Sequence, residues 1–314
     1  MDTHRSMPRA GAFHAGEIAA QERAGVRMQM ERIGAIALRD YMPQQHRDFF
    51  PLLPMLFVGA RDDEDDVWAS TLWGEPGFVQ SPDPVSLRIG ARLQRDDPIA
   101  SVIRPGHALG CLGLQFETRR RNRVNGVVGS ADAEGFTLDV WQSFGNCAKY
   151  IQTRERIDPP AQRNPVVTMG DGKLLPDAAR TLIRQCDTFF IASAAGDTVD
   201  VSHRGGRPGF VQADADGVLM WPDFQGNNFF NTIGNLLVDA RAGLLFIDFE
   251  QGHLLHLSGH AEVVWEGPRV EGFAGAKRML RFITERHVFR QGVLPLRWAL
   301  REPSPHLEAT GRFA

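Results

Sequence analysis

The chain contains 314 residues, of which 43% are hydrophobic and 23% are charged, and its formal net charge at pH 7 is −3. This composition is ordinary for a globular protein, and the slightly negative charge argues against a surface built to bind nucleic acid or anionic lipid. The three widely spaced cysteines provide neither a disulfide framework nor a metal-binding pattern.

The N-terminal region is predicted to be helical. Apolar residues recur at roughly helical spacing over residues 14–40, with charged residues between them, which is typical of a packing face. The charges exclude a signal peptide, and no apolar run approaches the ~20 residues of a membrane helix. We therefore expect a cytoplasmic protein without membrane contact. The apolar positions are Ile18, Val26, Met30, Ile33, Ile36 and Ala37.

Short β-strands are predicted along most of the remaining chain. Each candidate is rich in β-branched, Leu or aromatic residues and is bounded by Gly, Asp or Pro. Their spacing of roughly ten residues is typical of an antiparallel barrel. The acidic run at residues 62–66 fits a solvated hairpin tip. The predicted strands cover residues 56–60, 67–72, 85–89, 188–192, 199–202, 217–221, 243–249 and 253–264, and further helices are predicted at 231–238 and 273–286.

An internal repeat organises the chain. The sequence GEPGFVQ at residues 74–80 recurs as GRPGFVQ at residues 206–212, and residues 114–117 correspond to residues 247–250 at nearly the same shift. Separate matches at one shift indicate a duplication. We predict a helical segment at 1–45, a first barrel at 46–156, a proline-containing linker at 157–180 and a second barrel at 181–314.

The segment 199–235 carries the strongest functional signal. A glycine-rich turn follows Ser202, His203 and Arg204, and glycines let a flat ring or a phosphate approach the backbone closely. An amide-rich loop then leads into the predicted helix at Asn231 and Thr232, and a helix N-terminus suits a phosphate. Either Arg204 or a second arginine of the turn, at position 207, offers a charge-assisted bond. A capped helix after a polar loop, with no ligand, is the alternative.

The first copy differs at the corresponding place. Residues 229–232 of the second copy correspond to Asp96, Asp97, Pro98 and Ile99. Two carboxylates there would repel a phosphate, and the Asn and Thr donors are missing. We therefore expect the second copy alone to hold a phosphate group.

Residues 199–265 resemble the FMN-binding split-barrel family related to pyridoxamine 5′-phosphate oxidase, and the first half resembles the long two-copy branch of that family. The motifs that carry this resemblance are VDVSHRGG from residue 199, PGFV at 208–211, WPD at 221–223, GN at 226–227, FNT at 230–232 and LSG at 257–259, together with FHAGE at 13–17, GEPGF at 74–78 and QSFGNCAKYI at 142–151.

The resemblance implies a fold that is mainly β with flanking helices (α+β), a duplicated FMN-binding split β-barrel. It implies that Ser202 and the loop-to-helix junction from Asn228 to Thr232 hold the FMN phosphate. The isoalloxazine would lie against the backbone of two strands, one of which contains Phe210 and Val211 and the other Trp221, Pro222 and Asp223. In pyridoxamine phosphate oxidases, the helix whose N-terminus holds the FMN phosphate (the phosphate helix) usually contains Arg and Lys, whereas this chain has Asn231, Thr232 and Gly234. That departure argues against vitamin B6 oxidation.

Two residues of the first copy are further candidates. In split-barrel dimers of the family the flavin lies in the groove between two barrels. If the two copies pair within one chain as an intramolecular pseudo-dimer, Asn146 and Lys149 reach the flavin of the second copy. The alternative is a helix cap followed by an exposed lysine, and a homodimer also remains open.

We therefore predict an FMN-dependent oxidoreductase that acts on a small-molecule substrate or takes electrons from a donor such as NAD(P)H. No catalytic acid or base is assigned, although His203 is the titratable group nearest to neutral pH in the flavin segment. The alternative is a flavin- or haem-binding carrier or redox sensor. A metal site at His253, His256 and His260 and a nucleic-acid site at residues 119–123 are disfavoured.

Overall fold

A computed structural model of the chain describes residues 12–158, 165–171 and 174–313. The architecture is mainly β, with two large antiparallel sheets and flanking helices. No helix in the described part of the chain is long and apolar enough to cross a membrane.

The first sheet contains seven strands, in the order β2-β1-β5-β6-β7-β4-β3. These strands are β1 (Met55–Arg61), β2 (Val67–Trp73), β3 (Val79–Asp83), β4 (Ser86–Ile89), β5 (Ala108–Gln115), β6 (Arg120–Ala131) and β7 (Phe136–Gly145). The acidic residues 62–66 form the turn between β1 and β2.

The second sheet has eight strands. After β8 (Thr153–Ile157) come β9 (Val166–Asp171), β10 (Thr188–Ala195), β11 (Thr198–Gly205), β12 (Gln212–Ala213), β13 (Val218–Phe224), β14 (Arg241–Ile247), β15 (Leu254–Val264), β16 (Ala276–Gln291) and β17 (Arg297–Glu302). The main path is β11-β10-β14-β15-β16-β13-β12, while β9 pairs with β16, and β8 and β17 form a separate two-stranded sheet.

The two main paths are the same path repeated. Each strand from β1 to β7 has its counterpart from β10 to β16 at the same place in the strand order. The repeated motifs occupy matching positions, because residues 74–80 lead into β3 and residues 206–212 lead into β12. The predicted duplicated fold is therefore confirmed.

The helices are short and lie outside the sheets. They are α1 (Ala15–Arg23), α2 (Arg27–Ala37), α3 (Gln44–Arg47), α4 (Asp177–Gln185), α5 (Asn231–Val238) and α6 (Pro268–Glu271), with single 3-10 turns at Phe50–Leu52, Ala100–Val102 and Pro305–Leu307.

Residues 14–40 are not one helix, as the sequence predicts, but two. Gly25 separates α1 from α2 with a φ of +70°, a conformation that favours glycine. The predicted packing face is also incomplete: Met30 is buried, whereas Ile33 and Ile36 are 39% and 73% exposed.

The predicted helix at 273–286 is wrong. Most of this segment is the long strand β16, which pairs with β13 on one side and β15 on the other. Apolar residues such as Met279, Leu280 and Phe282 suit a helix as well as a strand that is buried in a sheet. The backbone hydrogen bonds offered by two neighbouring strands decide the outcome.

The predicted linker contains ordered elements. Within residues 157–180 the structure has the last residue of β8, the strand β9 and the start of α4. Two of the prolines that suggested the linker, Pro159 and Pro160, lie outside the described residues, as do the first eleven residues of the predicted helical segment.

The two halves pack against each other through equivalent surfaces. Phe57 of β1 stacks on Phe190 of β10, with ring centroids 3.6 Å apart and an interplanar angle of 15°. These residues hold matching positions in their sheets, so an approximate twofold axis passes between them. A Cβ at Gly110 would lie 2.5 Å from the Val199 carbonyl oxygen, and one at Gly243 would lie 2.4 Å from the Trp68 Cα. Glycine at both positions therefore permits close contact between the halves.

Candidate functional site

A pocket of about 320 Å³ opens where the two halves meet. Its walls come from β6 and the segment after β7 in the first half, and from β11, β13, the N-terminus of α5 and the start of β16 in the second half. Eleven residues predicted to bind a cofactor line it: Asn146, Lys149, Ser202, His203, Arg204, Phe210, Pro222, Asp223, Asn228, Asn231 and Thr232.

Three other residues of the sequence prediction are not among those that line the pocket. The side chains of Val211 and Trp221 are buried in the apolar core of the second half. Arg207, offered as an alternative to Arg204, donates instead to the carbonyl oxygens of Leu307 and Glu308 near the end of the chain, at 2.9 and 3.2 Å.

The N-terminus of α5 faces the pocket without a side-chain cap. Its N-cap residue is Phe230, which has a φ of 62°, and Asn228 has the same φ. Asn231 and Thr232, where the sequence predicts that this helix begins, both belong to its first turn and do not cap it. The first N–H groups of an α-helix have no partner inside the helix. The uncapped turn can therefore bind an anion.

Side-chain donors converge beside this helix end. The Thr232 hydroxyl donates to Ser202 Oγ at 3.0 Å. Arg123, from β6 of the first half, donates from Nη2 to the same Ser202 oxygen at 2.5 Å. A positive charge and two hydroxyls thus meet at the uncapped turn. We call this set of Arg123, Ser202, Thr232 and the start of α5 the first tier.

The sequence prediction missed Arg123. The arginine run at 119–123 fits a hairpin tip or a contact with the second copy, and Arg119 does occupy the turn with a φ of 58°. Arg123 makes the expected contact with the second copy, since it is only 3% exposed and also donates to Asp200 Oδ1 at 3.1 Å; its place beside the helix N-terminus is what the sequence prediction missed. The alternation of Arg121 and Arg123 along a strand, which places both on one face, is the signal that could have identified them.

Asp200 anchors a buried polar network beneath the first tier. Its carboxylate accepts hydrogen bonds from Asn125 at 2.7 Å and from Asn235 at 3.2 Å, in addition to the one from Arg123. Burial lowers the pKa of Arg123, and the Asp200 carboxylate opposes that shift. Asp200 therefore keeps the guanidinium charged inside the interface.

The N-terminal segment closes the site from behind. A Cβ on Gly16 would lie 2.1 Å from the Gly234 carbonyl oxygen, so α1 and α5 are in close backbone contact. This contact places Glu17, which is 5% exposed, where its Oε1 accepts a hydrogen bond from Asn231 Nδ2 at 2.5 Å. Burial and the Asp200 carboxylate raise the pKa of Glu17 to about 8. The carboxyl is therefore largely protonated at neutral pH.

His203 does not titrate near neutral pH, contrary to the sequence prediction. Burial, reinforced by the guanidinium groups of Arg121 and Arg204, lowers its pKa well below the ordinary value. The imidazole is neutral at pH 7, so it does not add to the positive charge of the pocket.

Several buried donors at the pocket have no hydrogen-bond acceptor among the described residues. They are Arg121 Nε, Asn146 Nδ2 and Arg204 Nε. Buried polar atoms are ordinarily satisfied, so these donors indicate a ligand that carries acceptors. Lys149 lies at the pocket in a turn and not at a helix cap.

Comparison with known proteins supplies one family match. Residues 175–296 match the sequence model of the family described as "Pyridoxamine 5′-phosphate oxidase". No curated protein matches the chain.

Similar solved structures include HupZ of Group A Streptococcus, at 16% identity, with 38% of this chain and 97% of that chain covered and a TM-score of 0.32. An FAD-binding protein of Mesorhizobium loti shows 14% identity, coverage of 40% and 98%, and a TM-score of 0.28. A NimC/NimA family protein of Clostridium acetobutylicum also shows 14% identity, with coverage of 37% and 84% and a TM-score of 0.28.

Proposed function

Residues 175–296 belong to the pyridoxamine 5′-phosphate oxidase family, and from this premise we propose that the pocket between the halves binds FMN and that the protein is an FMN-dependent oxidoreductase. The observation that carries the proposal is the first tier. It combines an uncapped helix N-terminus, two hydroxyls and a guanidinium at one end of a pocket of about 320 Å³. Those are the groups that bind a phosphate monoester.

Arg123 accounts for the unusual sequence of the phosphate helix. The first turn of α5 has Asn231 and Thr232 where the resemblance leads one to expect Arg and Lys. In this chain a positive charge reaches the same place from the first half, through the 2.5 Å bond to Ser202. We propose that Arg123 supplies the phosphate charge.

The remainder of the pocket suits a flat ring system. Gly205, Phe210 and Pro222 line it with little polar bulk, and the unpartnered Asn146 amide offers donors to ring acceptors. FMN, when bound, supplies the hydride or electron transfer. The chain's own residues hold the cofactor and limit access of water. Neutral His203 adds no proton to the reaction at pH 7.

The substrate differs from vitamin B6 in this proposal, because the phosphate helix departs from the pattern of the B6 oxidases. We place one FMN in each chain, in the second half. We also propose a cytoplasmic protein that works with a small-molecule substrate or with a donor such as NAD(P)H.

The test is the absorbance spectrum of the freshly purified protein, followed by quantification of the flavin released on denaturation. We expect a flavin spectrum and close to one FMN per chain, bleached by NADH or NADPH and restored by air. A yellow protein that neither nucleotide reduces would favour a carrier or sensor. A colourless protein that fails to take up added FMN would refute the proposal.

A further inference from the structure

A second group of cations lies beyond the first tier. Side chains of β6 and β11 pair across the interface between the halves. Asn125 contacts Asp200 at 2.7 Å, and Arg123, the next residue on that face of β6, contacts Ser202 at 2.5 Å. Two positions further along each strand, on the same face, come Arg121 and Arg204. Their Cα atoms lie about 7 Å along the strands from those of Arg123 and Ser202, at two residues of strand rise.

The start of β16 adds two more cations to this level. Arg278 lies opposite Asp223 in the β13–β16 register, and Lys277 precedes it at the pocket. Asp223 is the one carboxylate among the lining residues, with Oδ2 at 3.4 Å from Arg278 Nε and Oδ1 at 3.9 Å from Arg204 Nη2. We call Arg121, Arg204, Lys277 and Arg278 the second tier.

The second tier has donors that the described chain does not use. Arg278 is only 7% exposed, and its Nε and Nη1 make no hydrogen bond within the described residues. The Nε atoms of Arg121 and Arg204 are likewise unpartnered. Arg278 is held in place from the apolar side, since its guanidinium lies 4.8 Å from the ring centre of Phe230 and 4.9 Å from that of Trp265. The position of the Arg278 side chain is therefore fixed by packing, unlike that of a solvated surface arginine.

The positive charges of the second tier outnumber the negative charges near them. The second tier has four cations, whereas the lining residues include one carboxylate, Asp223, which lies 3.4 Å from Arg278 and 3.9 Å from Arg204. Burial and the neighbouring Arg123 and Arg204 lower the pKa of Arg121 to about 9, which is the effect expected where buried cations crowd one another. The proposed FMN phosphate would hydrogen-bond to the first tier, two residues of strand rise away, and so it leaves the free donors of the second tier without an acceptor. An anion of another molecule is the missing counterpart.

We propose that the second tier is the substrate subsite and that the substrate of this protein is an organic anion, carrying a carboxylate or a phosphate, bound by Arg278, Arg204 and Lys277 beside the flavin. This inference rests on the proposed FMN site. Asp223 orients the two guanidinium groups, and their free donors face the incoming anion. Arg121 contributes positive charge from the first half.

The test is equilibrium dialysis with ³²P-labelled inorganic phosphate as the probe. The flavin-saturated protein should bind one phosphate, and the flavin-free protein should bind two, because both tiers are then open. Malonate should compete for the site in the flavin-saturated protein. Malonamide, which has the same shape without charge, should not, and neither should sodium chloride at equal ionic strength.

Variants locate the site. Arg278→Gln and Lys277→Gln should each weaken phosphate binding to the flavin-saturated protein about tenfold or more, because each removes a charged donor. Both should retain a full equivalent of FMN. Arg184→Gln, at an exposed position on α4, is the matched control and should bind phosphate like the wild type. Lys277 is exposed, so its variant gives an answer even if Arg278→Gln does not fold.

Each contrary result has a distinct meaning. Full FMN content with no bound phosphate would overturn the subsite and leave the flavin proposal standing. Loss of FMN from Arg278→Gln, with normal folding, would show that the second tier holds the cofactor phosphate, and it would overturn the assignment of both tiers. A protein that binds no FMN would remove the basis of both proposals.

Discussion

The pocket of the second half has a counterpart in the first half that the chain fills with its own side chains. Ser70 on β2 occupies the position that Ser202 occupies on β11. Ser202 receives a hydrogen bond from Thr232, whereas Ser70 donates to Asp97 Oδ2 at 2.5 Å. Where the second half presents hydroxyls, the first half presents a carboxylate.

A guanidinium from the opposite half completes the filled site. Arg290 is fully buried and donates from Nη1 to Asp97 at 2.9 Å and from Nε and Nη2 to Asp96 at 3.0 Å. The strand register makes Arg290 the counterpart of Asn146, and it makes His256 the counterpart of Arg123. The repulsion that the sequence predicts at Asp96 and Asp97 is thus only part of the finding, because their charge is already neutralised from within.

The difference shows how one fold produces an open and a closed version of the same site. In the open site, which is the pocket beside Ser202 and Thr232, the opposite half contributes Arg123 and the Asn146 amide, and this leaves positive charge for a ligand. In the closed site, which is the equivalent place beside Ser70, the opposite half contributes Arg290. The carboxylates of Asp96 and Asp97 neutralise its charge. Duplication in one chain lets the halves diverge in this way, whereas two identical subunits would keep both sites alike.

The largest expected effect is on the closed site. Arg290→Ala leaves the carboxylates of Asp96 and Asp97 without their cation, and Asp97 is only 4% exposed. We expect a loss of about 3–5 kcal/mol in the free energy of unfolding. Denaturant unfolding measures it, with the exposed Arg184→Ala as the control. A loss below about 1 kcal/mol would mean that the closed site does not hold the halves together.

A second effect concerns Glu17, which supports only the open site. Its pKa of about 8 lies above that of an unfolded glutamate, so the folded protein binds more protons between the two values and stability falls as pH rises through that window. Glu17→Gln mimics the protonated carboxyl. We expect it to be more stable than the wild type by a few kcal/mol near pH 8 and nearly equal near pH 4.5.

Thermal or denaturant unfolding of the Glu17→Gln variant at several pH values tests this. A difference that does not change with pH would show that Glu17 is ionised at neutral pH in the folded protein.

The third prediction compares equivalent residues of the two sites. Arg123→Gln removes the charge proposed to meet the FMN phosphate, and we expect FMN affinity to fall roughly 10- to 100-fold, the range for hydrogen bonds to charged groups. His256→Gln, the matched change in the closed site, should leave FMN affinity unchanged. Fluorescence titration with FMN measures both. Equal losses in the two variants would indicate a general effect on the interface instead of a phosphate contact.

The smallest effect concerns neutral donors of the open site. Asn228→Ala combined with Thr232→Ala removes one polar side chain from the loop before α5 and one from its first turn. Each neutral hydrogen bond should contribute about 0.5–1 kcal/mol to the binding free energy, so the double variant should lose about 1–2 kcal/mol. The control is Ser70→Ala in the closed site. An unchanged flavin content in the purified double variant would refute this placement of the phosphate.

Much of the open site was predictable from the sequence because its signals are local. The repeat, most strands, the glycine-rich turn after Ser202 and the helix that begins at Asn231 depend on neighbouring residues. Turn chemistry and periodicity report such features directly. The acidic replacement at Asp96 and Asp97 was also visible once the copies were aligned.

The tertiary structure decided which distant residues complete each site. Arg123 meets Ser202 across 79 residues of chain, and Arg290 meets Asp96 across 194. No local pattern distinguishes such an arginine from an exposed one, because burial depends on what the opposite half places over it. The same reason explains β16, where an apolar segment compatible with a helix becomes a strand because two neighbours offer it hydrogen bonds. Sequence alone thus determined the duplicated elements and the place where α5 begins, while packing of the halves determined which copy remained open.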